Sequence, residues 1–116
     1  MKYTTLISGS NSELAFDTIQ QLSKKNKLVL ITSNKQKLLK KIKSLKILII
    51  EQSYDKIENI NAYLEKKKIK INSIIHFNGV HGFDNIQNIS KDKFDFFFNA
   101  NCFSFLNLIK TLKLHL

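Results

Sequence analysis

Tyr3-Thr4-Thr5-Leu6-Ile7-Ser8-Gly9-Ser10-Asn11-Ser12-Glu13-Leu14-Ala15 changes its backbone period partway along. Tyr3 to Ile7 is a short apolar and β-branched run, which predicts a buried strand. Ser8-Gly9-Ser10-Asn11 follows with turn-forming residues. Leu14, Ala15, Thr18, Ile19 and Leu22 then recur at helical spacing, and Lys24 and Lys25 suit the negative end of a helix dipole. A strand that passes through a glycine turn into a helix is the unit the rest of the chain repeats.

Leu28 to Ile31 predicts a second strand and Lys35 to Lys43 a short helix, with Leu38, Leu39 and Ile42 on one side. Lys46 to Ile50 supplies a third strand. Asp55 is placed to cap a helix running to Lys67, with Ile57, Ile60 and Leu64 on its buried face. Ile71 to Phe77 is the fourth strand, and a long helix starts at Lys91 and runs to the C-terminus. Strands joined through helices must run parallel, and right-handed crossovers put helices on both faces. The expected fold is α/β, a three-layer doubly wound parallel sheet of about four strands in the order 3-2-1-4.

The chain has 116 residues, 43% of them hydrophobic, enough for one core. It contains no run of about 18 apolar residues and no apolar leader after Lys2, so a soluble, cytoplasmic protein without a membrane partner is expected. The single cysteine, Cys102, fits a reducing compartment. The net charge of +10 comes entirely from lysine. Recognition of nucleic acid more often uses arginine, whose planar fork binds phosphates and base edges, so no nucleic-acid partner is expected. His76, His81 and Cys102 are not spaced as metal ligands.

In a sheet of this order, ligands bind at the C-terminal ends of strands 1 and 4, where the order reverses. Gly9 and Gly79 fall at those two ends, and Gly82 extends the second loop. Here the chain resembles the short-chain dehydrogenase/reductase family. Ser8 to Ala15 is similar to that family's TGxxxGxG phosphate loop, with Glu13 and Ala15 in place of the second and third glycines. His76-Phe77-Asn78-Gly79 stands where the family has NNAG, and Phe98-Asn99-Ala100-Asn101 is similar to the segment ending in the catalytic asparagine. The resemblance spans residue 3 to the end of the chain.

It implies a Rossmann-like dinucleotide-binding domain over residues 1–116, incomplete as a catalyst. Its cofactor site would comprise Ser8, Gly9, Ser10, Asn11, Ser12, Glu13 and Leu14 in the phosphate loop. Ser33, Asn34 and Lys35 would follow strand 2, Glu51 and Gln52 would follow strand 3 near the adenine, and Phe77, Asn78 and Gly79 would lie along the ribose. Asn101 would be catalytic. With no carboxylate at residues 33–35 to repel a 2'-phosphate, NADP is favoured over NAD. Lys35 and Lys37 also read simply as solvated lysines. Glu13 has two readings: a carboxylate intruding on the phosphate site, or the last member of a Ser10-Asn11-Ser12-Glu13 capping box. Asn78 either crowds the ribose or stabilises its loop.

Phe94, Phe97, Phe98, Phe105, Ile109 and Leu112 form one stripe on the last helix, expected to pack on the sheet, while Phe96, Phe103 and Leu106 lie elsewhere. The family uses this helix between subunits, which implies a homo-oligomer formed through residues 91–116. The family's catalytic serine, tyrosine and lysine have no counterpart after Asn101. Tyr63-Leu64-Glu65-Lys66-Lys67 satisfies YxxxK but precedes Asn101, away from the crevice. Two functions follow: the cofactor-binding portion of an NAD(P)-dependent oxidoreductase for a carbonyl or alcohol substrate, or a non-catalytic nucleotide-binding or oligomerisation module.

Overall fold

The structure, a computed structural model, describes residues 3–42, 47–52, 58–77 and 86–112. Strands β1 (Thr4–Ser8), β2 (Lys27–Thr32), β3 (Leu48–Glu51) and β4 (Ser73–His76) form one parallel sheet in the order β3-β2-β1-β4. Helices α1 (Glu13–Leu22), α2 (Lys35–Lys41) and α3 (Glu58–Lys66) connect them. This is the expected doubly wound α/β sheet.

The central strands β1 and β2 are buried on both faces, and the outer strands β3 and β4 are half-buried, so alternate residues serve two separate cores. Ile7, Leu28 and Leu30 pack with Ala15 and Ile19 of α1 and Leu38 of α2. On the other face Leu6, Val29 and Ile31 pack with Ile60 and Leu64 of α3, and with Leu108 and Leu112 of the last helix.

Strand boundaries differ from the sequence reading for local reasons. Ser8 belongs to β1 rather than to the turn, because it pairs with Ile31 on one side and His76 on the other. β4 begins at Ser73, two residues after Ile71, because the Thr4 amide donates to the Asn72 side-chain oxygen at 2.8 Å, outside the regular backbone ladder. α2 stops at Lys41, with Ile42 already extended. The proposed cap Asp55 and the start of strand 3 at Lys46 lie outside the described residues, as does the chain beyond Leu112.

The last helix has three parts: α4 (Lys91–Phe98), a π-helical turn (Asn99–Phe103) and α5 (Ser104–Leu112). Ser90 caps it, accepting from the Lys93 amide at 3.1 Å. The residues it buries are Ala100, Ser104, Leu108 and Leu112, spaced by four. The expected phenylalanine stripe is therefore corrected. Phe94, Phe98, Phe105 and Ile109 are exposed, and so are Phe96, Phe103 and Leu106. Small residues at 100 and 104 let the helix approach the sheet, and the π turn resets the phase of whatever follows it. Among the described residues no helix is long and apolar enough to cross a membrane.

Candidate functional site

The turn after β1 is set by Gly9, whose φ of 69° lies in the left-handed region that a Cβ disfavours. Its carbonyl accepts the Ser12 amide at 3.2 Å. Ser12 then caps α1, its hydroxyl accepting from the Ala15 amide at 3.1 Å. The cap is thus Ser12, not the Ser10 of the expected capping box. Ser10 is fully buried: its hydroxyl donates to the Ile7 carbonyl at 2.8 Å and its amide to the Ile31 carbonyl at 3.2 Å. Both of its donors are spent on carbonyls of the strands, one on β1 and one on β2.

The amides of Asn11, Glu13 and Leu14 have no hydrogen-bond partner among the described residues. They lie at the positive end of α1, a ten-residue helix, where an anion is favoured. Glu13 and Leu14 are exposed in its first turn. This donor set suits a dinucleotide pyrophosphate. A carboxylate at position 13 shares the same electrostatic preference for the helix start.

Asn11 joins the first loop to the second. Its side-chain amide donates to Thr32 Oγ1 at 2.6 Å and to the Asn34 carbonyl at 3.2 Å, while Lys41 Nζ donates to the Asn11 carbonyl at 2.8 Å. Asn11 Oδ1 is buried and has no hydrogen-bond partner among the described residues. Asn34 caps α2 by accepting the Lys37 amide at 3.0 Å, and Ser33 and Lys35 are exposed beside it. Glu51 comes from the end of β3 to accept the Lys35 amide through Oε2 at 2.8 Å. A carboxylate therefore does stand at the end of β2, delivered by the neighbouring strand. Gln52 is anchored by its amide to the Thr32 carbonyl at 2.9 Å.

At the end of β4, the Phe77 amide donates to the Ser8 carbonyl at 2.9 Å, holding the two loop roots together. Asn78 and Gly79 lie outside the described residues. His76 contacts Ser8 through Nδ1 at 2.6 Å and Ser104 through Nε2 at 3.3 Å, and its ring stacks on Phe105 with centroids 4.9 Å apart. Desolvation lowers its pKa below the ordinary 6.5. Asn101 is exposed in the π turn, next to Ala100, whose carbonyl takes the Ser104 hydroxyl at 2.8 Å.

The structure thus gathers the β1–α1 loop, the β2–α2 loop and the end of β4 at the C-terminal ends of the strands. Tyr63 and Lys67 are elsewhere: Lys67 Nζ lies 5.8 Å from the Tyr63 ring centroid, on the end of α3 that leads into the start of β4. A cavity of about 760 Å³ also opens at the starts of the strands, lined by Tyr3, Lys27, Val29, Leu48 and Lys70 among others. It faces away from the switch point. Thr32, Lys41 and Ser104 were missed by the sequence reading. Ser104 had one signal, its spacing of four from the small Ala100 and from Leu108.

No protein-family profile matches the sequence, and no curated protein sequence does either. Solved structures do match in fold. A short-chain dehydrogenase from Streptomyces avermitilis superposes with a TM-score of 0.85 at 10% identity, over 99% of this chain and 44% of that one. A 4-hydroxyisoleucine dehydrogenase complexed with NADH and succinate gives 0.79 at 18% identity, over 94% of this chain and 50% of that one. An NADPH-dependent reductase involved in bacilysin biosynthesis gives 0.81 at 15% identity, over 100% and 54%. The chain spans about half the length of the structures it matches. Over residues 3–112 its described elements have the Rossmann-like fold of the short-chain dehydrogenases/reductases.

Proposed function

We propose that this chain binds a nicotinamide dinucleotide across the loop between β1 and α1, as the cofactor-holding domain of an oxidoreductase for a small-molecule carbonyl or alcohol. The observation that carries this reading is the set of uncommitted amides at Asn11, Glu13 and Leu14, presented by the left-handed turn at Gly9. Fold neighbours that bind NADH or depend on NADPH support the cofactor class. When bound, the nicotinamide would supply the hydride chemistry. The chain's own residues would hold the phosphates, and Asn101 would act from the π turn that precedes Ser104, the partner of His76 of β4.

In this reading residues 1–116 act as one domain, and Asn101 is its catalytic residue. Asn78 and Gly79, which the resemblance sets along the ribose, lie outside the described residues. Exposed Ser33 and Lys35 favour NADP, while the Glu51 carboxylate weighs towards NAD. A cytoplasmic setting belongs to the same reading and is supported by the single free cysteine.

A second role is favoured by the exposed phenylalanines of the last helix, which suit self-association into a homo-oligomer. Fluorescence titration with NADH and NADPH tests the primary reading. Saturable binding that disappears in Gly9→Val is expected. No binding of either nucleotide would leave oligomerisation as the better function.

A further inference from the structure

Ser8, His76 and Ser104 form an unbroken line from the phosphate loop to the π turn, and their hydrogens have one consistent arrangement. The Ser104 amide donates to the Asn99 carbonyl, five residues back. The Ser104 hydroxyl serves the Ala100 carbonyl at 2.8 Å. A hydroxyl has a single hydrogen, so with that one committed Ser104 Oγ can offer only a lone pair to His76 Nε2 at 3.3 Å. Nε2 therefore carries a hydrogen.

Burial keeps the ring neutral at pH 7, which leaves Nδ1 bare to accept the Ser8 hydroxyl at 2.6 Å. Donation runs one way throughout, from Ser8 to His76 to Ser104 to Ala100. Phe105, stacked at 4.9 Å and 24°, holds the ring in plane. Ser8 and His76 are register partners at the last positions of β1 and β4, so the line crosses the point where the strand order reverses.

We infer that His76 is a positioning residue, a bridge of fixed tautomer that ties the phosphate loop at Ser8 to the π turn presenting Asn101. Two arms meet in one ring, and neither serine reaches the other without it. The bridge sets the distance between the groups that would hold the cofactor and the asparagine that would face the substrate. Its functional meaning rests on the oxidoreductase reading, whereas its existence does not.

The test uses the ¹⁵N-labelled chain at pH 7 without cofactor. Long-range proton–nitrogen correlation of the imidazole is expected to show Nε2 protonated and Nδ1 bare; the opposite tautomer overturns the inference on the unmodified chain. Amide exchange then separates the arms. His76→Phe keeps an aromatic ring against Phe105 and loses both hydrogen bonds, so amides of the loop and of the π turn should exchange about fivefold faster. His76→Gln places an amide nitrogen near the Nε2 position and should restore protection in the π turn only. His76→Asn places its oxygen near the Nδ1 position and should restore the loop only. Unchanged exchange in His76→Phe, or identical behaviour of the Gln and Asn variants, overturns the bridge. If the bridge passes but neither nucleotide binds, the oxidoreductase reading alone fails.

Discussion

Gly9 sits at a φ where any other residue brings its Cβ against a carbonyl. Gly9→Ala is expected to lower stability by about 1–2 kcal/mol, seen as a reduced urea midpoint at unchanged slope. Glu51 tests cofactor choice. Its carboxylate occupies the Lys35 amide, so Glu51→Gln should raise affinity for NADPH relative to NADH; an unchanged ratio would remove Glu51 from that role. His76 gives a pH dependence of known sign. Its folded-state pKa lies below 6.5, so the unfolded chain binds more protons between the two values. Its contribution to stability is complete above about pH 6.5 and declines as the pH falls below that value. Urea midpoints at pH 7.5, 6 and 5 in wild type and His76→Phe should converge towards low pH, where a parallel fall in both would exclude His76 as the cause. Gly9 was legible as a turn leading into a helix because its chemistry is local, although the cap falls on Ser12 rather than on Ser10. The Glu51 to Lys35 and Asn11 to Thr32 bonds were not. They join residues 16 and 21 apart, and only the strand register brings them together.

Helix α3 ends in a motif that the sequence hides. Lys68 adopts φ 56°, its amide donates to the Glu65 carbonyl at 3.0 Å, and the Ile69 amide reaches back to Leu64 at 2.9 Å. These are the two bonds of a Schellman ending, with Ile69 packed against the core that contains Leu64. Glycine normally fills the left-handed position, so Lys68→Gly should stabilise the chain by about 1 kcal/mol, measured as a raised thermal or urea midpoint. In a run of consecutive lysines no residue announces this conformation. The last helix hides its phase for another reason. Apolar residues surround it, so the phenylalanine stripe stood out, whereas the buried line of Ala100, Ser104, Leu108 and Leu112 did not, since two of its four residues are small and one of those two carries a hydroxyl. The exposed Phe96 and Phe103 should support self-association. Phe96→Lys combined with Phe103→Lys is expected to reduce the mass seen by light scattering while far-UV circular dichroism stays the same. An unchanged mass would place any interface elsewhere.

Across the whole molecule, the sheet and its order were readable because four apolar runs alternate with helical spacings, and parallel pairing leaves few topologies. The site was readable only in outline. Backbone features such as the Gly9 turn follow from residue type, but the side-chain network from Ser8 to Ala100 depends on β1 and β4 lying in register. That pairing also has a history in synthesis. Ser8 and His76 are 68 positions apart, as are Thr5 and Ser73. A ribosome adds about 5–20 residues per second, so the first strand of the nascent chain waits roughly 3–14 s for its second neighbour to be made. For that interval the future centre of the sheet is an open border, and the speed of translation, not the speed of folding, sets how long it stays open.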